Sequence, residues 1–226
     1  LQTDGLTCPE QAQLIAPEQK EHVHFFLING FDPAYCANLN GVAAYFRDMG
    51  FANTHCYQFT TAWLARRQIE EIRGSDPQAR IVLLGFSFGA NFARNIANHL
   101  EHKGVYIDCL IYLGGDTIFN TQASRPGNVG QIVNITGHGL VLLGRDMFLK
   151  GDDIDGAVNM RLDARHYSLP CQTETINAIG QAVLAAAAQP TVLPTARAPA
   201  SVLPSASLGR PELLPARSVL WPGRAP

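Results

Sequence analysis

Charge is scarce in this chain. Lys, Arg, Asp and Glu make up 16% of its 226 residues and the formal net charge is -2, so there is no basic surplus with which to hold nucleic acid or an anionic membrane. No apolar run approaches the ~18 to 20 residues of a spanning helix, which predicts a soluble protein without an integral membrane segment. The five cysteines, Cys8, Cys36, Cys56, Cys109 and Cys171, include no CxxC pair, which argues against a zinc site and leaves an odd thiol if two disulfides form. Cys36 and Cys56 both fall near expected strand ends and are candidates for a bridge, whereas Cys109 lies inside an apolar run and reads as core. HExxH is missing, and His22 and His24 in HVH put two imidazoles on one face of a strand without an obvious third ligand. GxGxxG and GK[ST] are missing too. No metal and no cofactor are therefore expected, and the partner that fits is a compact, uncharged or amphiphilic small molecule.

Hydrophobic residues are plentiful, at 46%, enough for one domain with a substantial core. Composition changes at residue 190: the last 37 residues hold eight of the fourteen prolines, four arginines and a single acidic residue, Glu212. Prolines this frequent break helix and ladder alike, so 190–226 reads as a Pro-rich disordered tail. Residues 1–20 read as an N-terminal extension and 21–189 as the folded body. The chain starts at Leu1 and not at Met, which reads as a processed chain or a fragment, so the compartment stays open between cytoplasmic and secreted or periplasmic. Oligomeric state is not legible either.

The body alternates two periodicities. HVHFFLING (22–30), FANTHCYQF (51–59), ARIVLLGF (79–86), GVYIDCLIYLGG (104–115), GQIVNITG (130–137) and GAVNMRLD (156–163) read as strands. Residues 38–50, 61–74, 88–102 and 173–189 carry helical spacing, the first stopping at Gly50. This alternation implies βαβ units and a mostly parallel central sheet of about six strands with helices on both faces, an α/β fold.

One junction carries chemistry. The strand ARIVLLGF runs through G-F-S-F-G, residues 85–89, into an alanine-rich helix. In a parallel sheet this is the carboxyl edge, where such folds bind ligands. A nucleophile on a sharp strand-to-helix turn forces its neighbours two positions away against strand and helix, and Gly85 and Gly89 supply the missing side chains. The turn also aims the Phe88 N–H over Ser87, half of an oxyanion hole.

With that motif in that context, residues ~22 to 189 resemble a small member of the α/β-hydrolase superfamily, on the serine esterase and lipase side, without a large cap domain. The resemblance implies Ser87 as nucleophile, followed in the chain by an acid and a histidine. A base of near-neutral pKa makes histidine the default, and His99, His102, His138 and His166 lie downstream. His99 and His102 sit at the far end of the helix that begins at the serine. His166, after the final strand and before the final helix, stands where the family carries its histidine. His138 in NITGHGL is the rival, otherwise a loop histidine of the substrate pocket. For the acid, Asp116 in YLGGDT ends its strand at the same edge, the placement of a lipase-like subset, while Asp146, Asp152, Asp153 and Asp155 suit the commoner placement one strand later.

By the same match INGFDP is the loop after the first strand, with Asn29-Gly30 where many members have His-Gly and the Phe31 N–H as second oxyanion donor. Asp32 initiates the turn with Pro33. Phe31, Phe86, Phe88 and Tyr167 would line an apolar pocket for an acyl group, and the loop 138–156, with Leu140, Val141, Leu142, Leu143, Met147 and Phe148, would form a small lid. The function expected is hydrolysis of a carboxylic ester. Acyl transfer or thioester cleavage on the same triad, or a non-catalytic binding protein on the same fold, are the other readings.

Overall fold

The protein was analysed as a computed structural model that describes residues 6–115, 126–138 and 153–189, together with the backbone of 141–142 and 145–146. The tail 190–226, Asp116, Asp152 and most of the expected lid lie outside the described residues.

In chain order the elements are α1 (Cys8–Gln13), α2 (Pro17–Glu21), β1 (Val23–Asn29), α3 (Leu39–Asp48), β2 (Thr54–Gln58), α4 (Ala62–Ser75), β3 (Arg80–Phe86), α5 (Gly89–His102), β4 (Ile107–Leu113), β5 (Val129–Thr136), β6 (Val141–Leu142), β7 (Arg145–Asp146), β8 (Val158–Arg161) and α6 (Thr173–Ala188). Short 3-10 helices cover Phe59–Thr61 and His166–Cys171. The main sheet has the order β2-β1-β3-β4-β5-β8, and every adjacent pair in it is parallel. β6 and β7 form a separate antiparallel pair.

Period-two alternation in the buried strands sorts their side chains onto two covered faces. Phe25, Leu27, Val82, Leu84, Cys109 and Ile111 belong to one core, completed by α1, α3 and α6. Phe26, Ile28, Ile81, Leu83 and Leu110 belong to the other, completed by α4 and α5. Burying a large side chain such as Phe26, wholly inaccessible here, contributes about 1.5 to 3 kcal/mol, so these continuous apolar runs fix the layer order.

Strand edges differ from the sequence expectation for local reasons. β2 starts three residues late because Gly50, at φ 94, turns the chain out of α3 and Phe51 drops fully into the core before pairing begins. β4 is trimmed by Gly104 and Gly114, both at positive φ. β8 is only four residues long and mostly exposed, as befits an edge strand. Ahead of the sheet, Cys8 and Ala12 of α1 are buried in the core that α6 shares, and a Cβ on Gly180 would lie 2.6 Å from the Cys8 sulfur. Among the described residues no helix is long and apolar enough to cross a membrane, and none forms a cap domain over the sheet.

Candidate active site

The end of β3 is held in an unusual backbone conformation. Ser87 has φ 53, one of three non-glycine residues with positive φ among the described residues, the others being Tyr35 and Asn38. This left-handed geometry costs an L-residue roughly 1 to 2 kcal/mol, and the surroundings hold it in place. The Ser87 N–H donates to the Leu113 carbonyl at 2.9 Å, and the Ser87 carbonyl accepts the Ala90 N–H at 3.0 Å, which starts α5. A Cβ on Gly85 would sit 2.5 Å from the Ala90 Cα, and one on Gly89 would collide with the Ile28 carbonyl oxygen. Glycine at both positions is what lets α5 leave the sheet this steeply.

Across the sheet edge, the 3-10 helix that begins at His166 brings its imidazole over the serine, with Nε2 2.8 Å from Ser87 Oγ. The ring packs on Phe86 at a centroid distance of 4.9 Å and on Tyr167 at 5.3 Å. Phe86, expected on the pocket wall, is fully buried; its place is beneath the imidazole as a support, because its strand position points it into the core. A Cβ on Gly114, which has φ 55, would lie 3.4 Å from His166 Cε1 and Nδ1. The end of β4 therefore passes along the Nδ1 edge of the ring, two residues before Asp116, which itself lies outside the described residues.

The loop after β1 approaches from the other side. A Cβ on Gly30 would be 2.8 Å from Ser87 Cβ and 2.9 Å from the Phe88 nitrogen, so only glycine lets this loop lie against the elbow. Asp32 is 4% exposed, and its carboxylate accepts the N–H groups of Cys36 at 2.8 Å and Ala37 at 2.9 Å. That places Asp32 as the internal brace of the loop, more extensive than a turn initiator. Tyr167 Oη donates to the Phe31 carbonyl at 3.2 Å, tying the loop to the helix that carries His166.

His138 goes elsewhere. Its Nε2 lies 2.6 Å from Asp163 Oδ1, with the ring half-exposed and the carboxylate fully so, and its N–H donates to Ala164. Sequence reasoning passed over Asp163; its place just beyond β8, at the same edge as the histidine after β5, was the available signal. Of the other acids, Asp153 pairs with Arg161 at 3.1 Å, and Asp146 is described only through its backbone. His99 reaches Glu70 at 3.2 Å at the far end of α5.

The cysteines depart from the expected bridge. All five are free thiols, and Cys56, half-buried in β2, has its pKa pushed up to about 11 by burial. His22 pairs with Asp76 at 2.8 Å, while His24 is held below the usual imidazole range, chiefly by burial. Among the described residues no three His, Cys, Asp or Glu side chains gather as a metal-ligating group.

The six-stranded parallel sheet, in this order, carries a left-handed serine between glycines at the end of its central β3. The fold is α/β-hydrolase-like. No family model matches the chain, and no curated protein matches it. Among solved structures it is similar to a protein from Xanthomonas campestris pv. campestris assigned as a hydrolase of the alpha/beta superfamily, at 15% identity over 72% of this chain and 96% of that one, with a TM-score of 0.44. It is similar also to the NocB thioesterase domain, solved in covalent complex with a fluorophosphonate nocardicin G analogue, at 14% identity over 72% of this chain and 94% of that one, again with a TM-score of 0.44.

Proposed function

We propose that the protein is a serine hydrolase of carboxylic esters, with Ser87 as nucleophile, His166 as general base and Asp116 as the carboxylate that orients it. The observation that carries this reading is the 2.8 Å contact of His166 Nε2 with the hydroxyl of a serine held at positive φ. A strained elbow keeps the hydroxyl proud of the sheet, and a base within hydrogen-bond reach can take its proton as it attacks.

The Ser87 oxygen bonds to the ester carbonyl carbon while its proton passes to His166 Nε2. The resulting oxyanion accepts hydrogen bonds from the N–H groups of Phe88 and Phe31, the second brought close by the side-chain-free Gly30. His166 then protonates the leaving alcohol, and a water, deprotonated by the same imidazole, releases the acid. Asp116 is supported as orienter by the course of β4, which runs along the Nδ1 edge of His166 two residues earlier. Of its rivals, Asp153 is engaged with Arg161.

An apolar acyl group is supported by the rings beside the serine. Phe88 packs edge-on against Phe59 at 5.4 Å and Phe92 at 5.3 Å, and Phe31 and Tyr35 stand 66% and 60% exposed on the loop opposite. Such surfaces take hydrocarbon in preference to charge.

The test is labelling with a fluorophosphonate and turnover of a panel of p-nitrophenyl esters and thioesters, with Ser87→Ala in parallel. Labelling at Ser87 and hydrolysis lost in the variant are expected, and the panel ranks acyl length and leaving group. A wild type that neither labels nor turns over any member of the panel would point to a non-catalytic binding protein on this fold.

A further inference from the structure

The two segments that meet over Ser87 each carry an exposed thiol. Cys36 lies in the loop after β1 and Cys171 ends the 3-10 helix that starts at His166; both are exposed, in contrast to Cys8 and Cys109, which are buried. The Cys171 thiol donates to the Ala37 carbonyl at 3.7 Å, so its sulfur touches the backbone one residue from Cys36. The segments are already tied at a second point, where Tyr167 Oη reaches the Phe31 carbonyl. Cys36 sits beside Tyr35, at φ 55, in a loop whose amides at 36 and 37 are gathered by Asp32. Both residues of this pair are exposed, where Cys56 is half-buried, and the Cys171 sulfur already contacts the backbone next to Cys36.

We propose that Cys36 and Cys171 are a dithiol pair that closes to a reversible disulfide by exchange with a low-molecular-weight disulfide, fastening the loop of Phe31 to the helix of His166. One protein thiolate attacks a sulfur of the small disulfide, forming a mixed disulfide and releasing one small thiol. The second protein thiolate attacks the protein sulfur of that mixed disulfide, releasing the second small thiol and leaving the Cys36–Cys171 bond. Two protein thiols are oxidised and one small disulfide is reduced to two thiols, with the two protons passing to the released thiolates. The closed form ties residues far apart in the chain, so it narrows the unfolded ensemble and raises the unfolding temperature.

The experiment exposes the folded full-length chain to oxidised glutathione, quenches with an alkylating agent and maps the linked peptides by mass spectrometry, with Cys36→Ser and Cys171→Ser in parallel. Loss of two hydrogens in the intact mass, a peptide joining 36 to 171, an upward shift of the unfolding midpoint and reversal of all three by dithiothreitol are expected, each abolished by either substitution. Glutathione retained as separate adducts on the two cysteines, a linkage to Cys56 instead, or no reaction at either thiol would overturn the pair. Because the readout is a covalent bond and a melting temperature, its outcome is independent of whether the protein hydrolyses esters.

Discussion

The two ends of the central sheet handle polar chemistry in opposite ways. At the amino end, the Asp108 side chain at the start of β4 is completely buried among charges: its Oδ2 accepts the Ile81 N–H at 2.7 Å and lies 3.2 Å from Arg73, and its Oδ1 faces Arg80 at 3.7 Å. Arg73 also donates to the carbonyls of Ala79 at 2.6 Å and Tyr106 at 2.8 Å. Burial pushes the Asp108 carboxyl up against the opposing pull of that N–H and the two guanidiniums, and pushes Arg73 down. At the carboxyl end Ser87 and His166 are half-exposed, the backbone of Ser87 is strained and aromatic rings stand in solvent. One end uses charge to lock strands and helix together, and the other keeps its hydroxyl and imidazole accessible. Proximity of titratable groups therefore does not by itself mark a reactive site; access and backbone strain separate the two.

The sharpest way to test that division is to remove a group from each end. Ser87→Ala is expected to lower kcat for ester hydrolysis by several orders of magnitude, with an unfolding midpoint close to that of the wild type. Asp108→Asn should do the reverse. Leaving two arginines facing a neutral group in a buried site costs about 3 kcal/mol, read as a lower urea midpoint, while kcat/KM per folded molecule is retained. A comparable loss of both quantities in either variant would dissolve the contrast.

Within the carboxyl end, Gly30→Ala sets a methyl group against Ser87 Cβ and the Phe88 nitrogen. Displacement of one oxyanion donor is expected to cost about 10²-fold in kcat, with KM little changed, and steady-state kinetics on one ester suffices to see it. Ser87→Gly should abolish turnover yet raise stability by about 1 kcal/mol, since glycine adopts φ 53 without the L-residue penalty; a destabilised Ser87→Gly would argue against strain at the elbow.

The smallest effect concerns pH. His24 and His55, neighbours on β1 and β2, are both held below the ordinary imidazole range, in each case chiefly by burial. Above pH ~6.5 both are neutral in the folded and unfolded chain and contribute nothing to pH dependence. As pH falls below that value the unfolded chain takes up protons first, so stability declines through the lowered folded values. Urea titrations at neutral and mildly acidic pH should show the decline, and it should flatten in His24→Leu.

Much of the architecture was legible because it is written in neighbouring residues. Six apolar runs in alternation with helical spacing correspond to the six strands of the main sheet, and the edges of β2 and β4 moved where glycines at positive φ or an early buried residue such as Phe51 cut pairing short. The helices of the N-terminal segment were missed, since α1 and α2 are six and five residues long, too short to show periodicity. Around the site, Phe86 read as pocket wall because sequence distance from Ser87 says nothing about direction. His138 and Asp163 found each other through the packing of two loops, as did Cys171 and the backbone beside Cys36.

What the sequence by itself determined is the local event at residues 80–102: an apolar strand, a serine flanked by glycines, and a helix that leaves the sheet steeply. Its cause is steric and acts within a few residues, at Gly85 and Gly89. Only the tertiary structure decided which histidine meets that serine, because His166 and Ser87 are 79 positions apart. Their encounter depends on strand order, on the close approach that Gly114 allows and on the 3-10 turn after β8, none of which a short window of sequence contains.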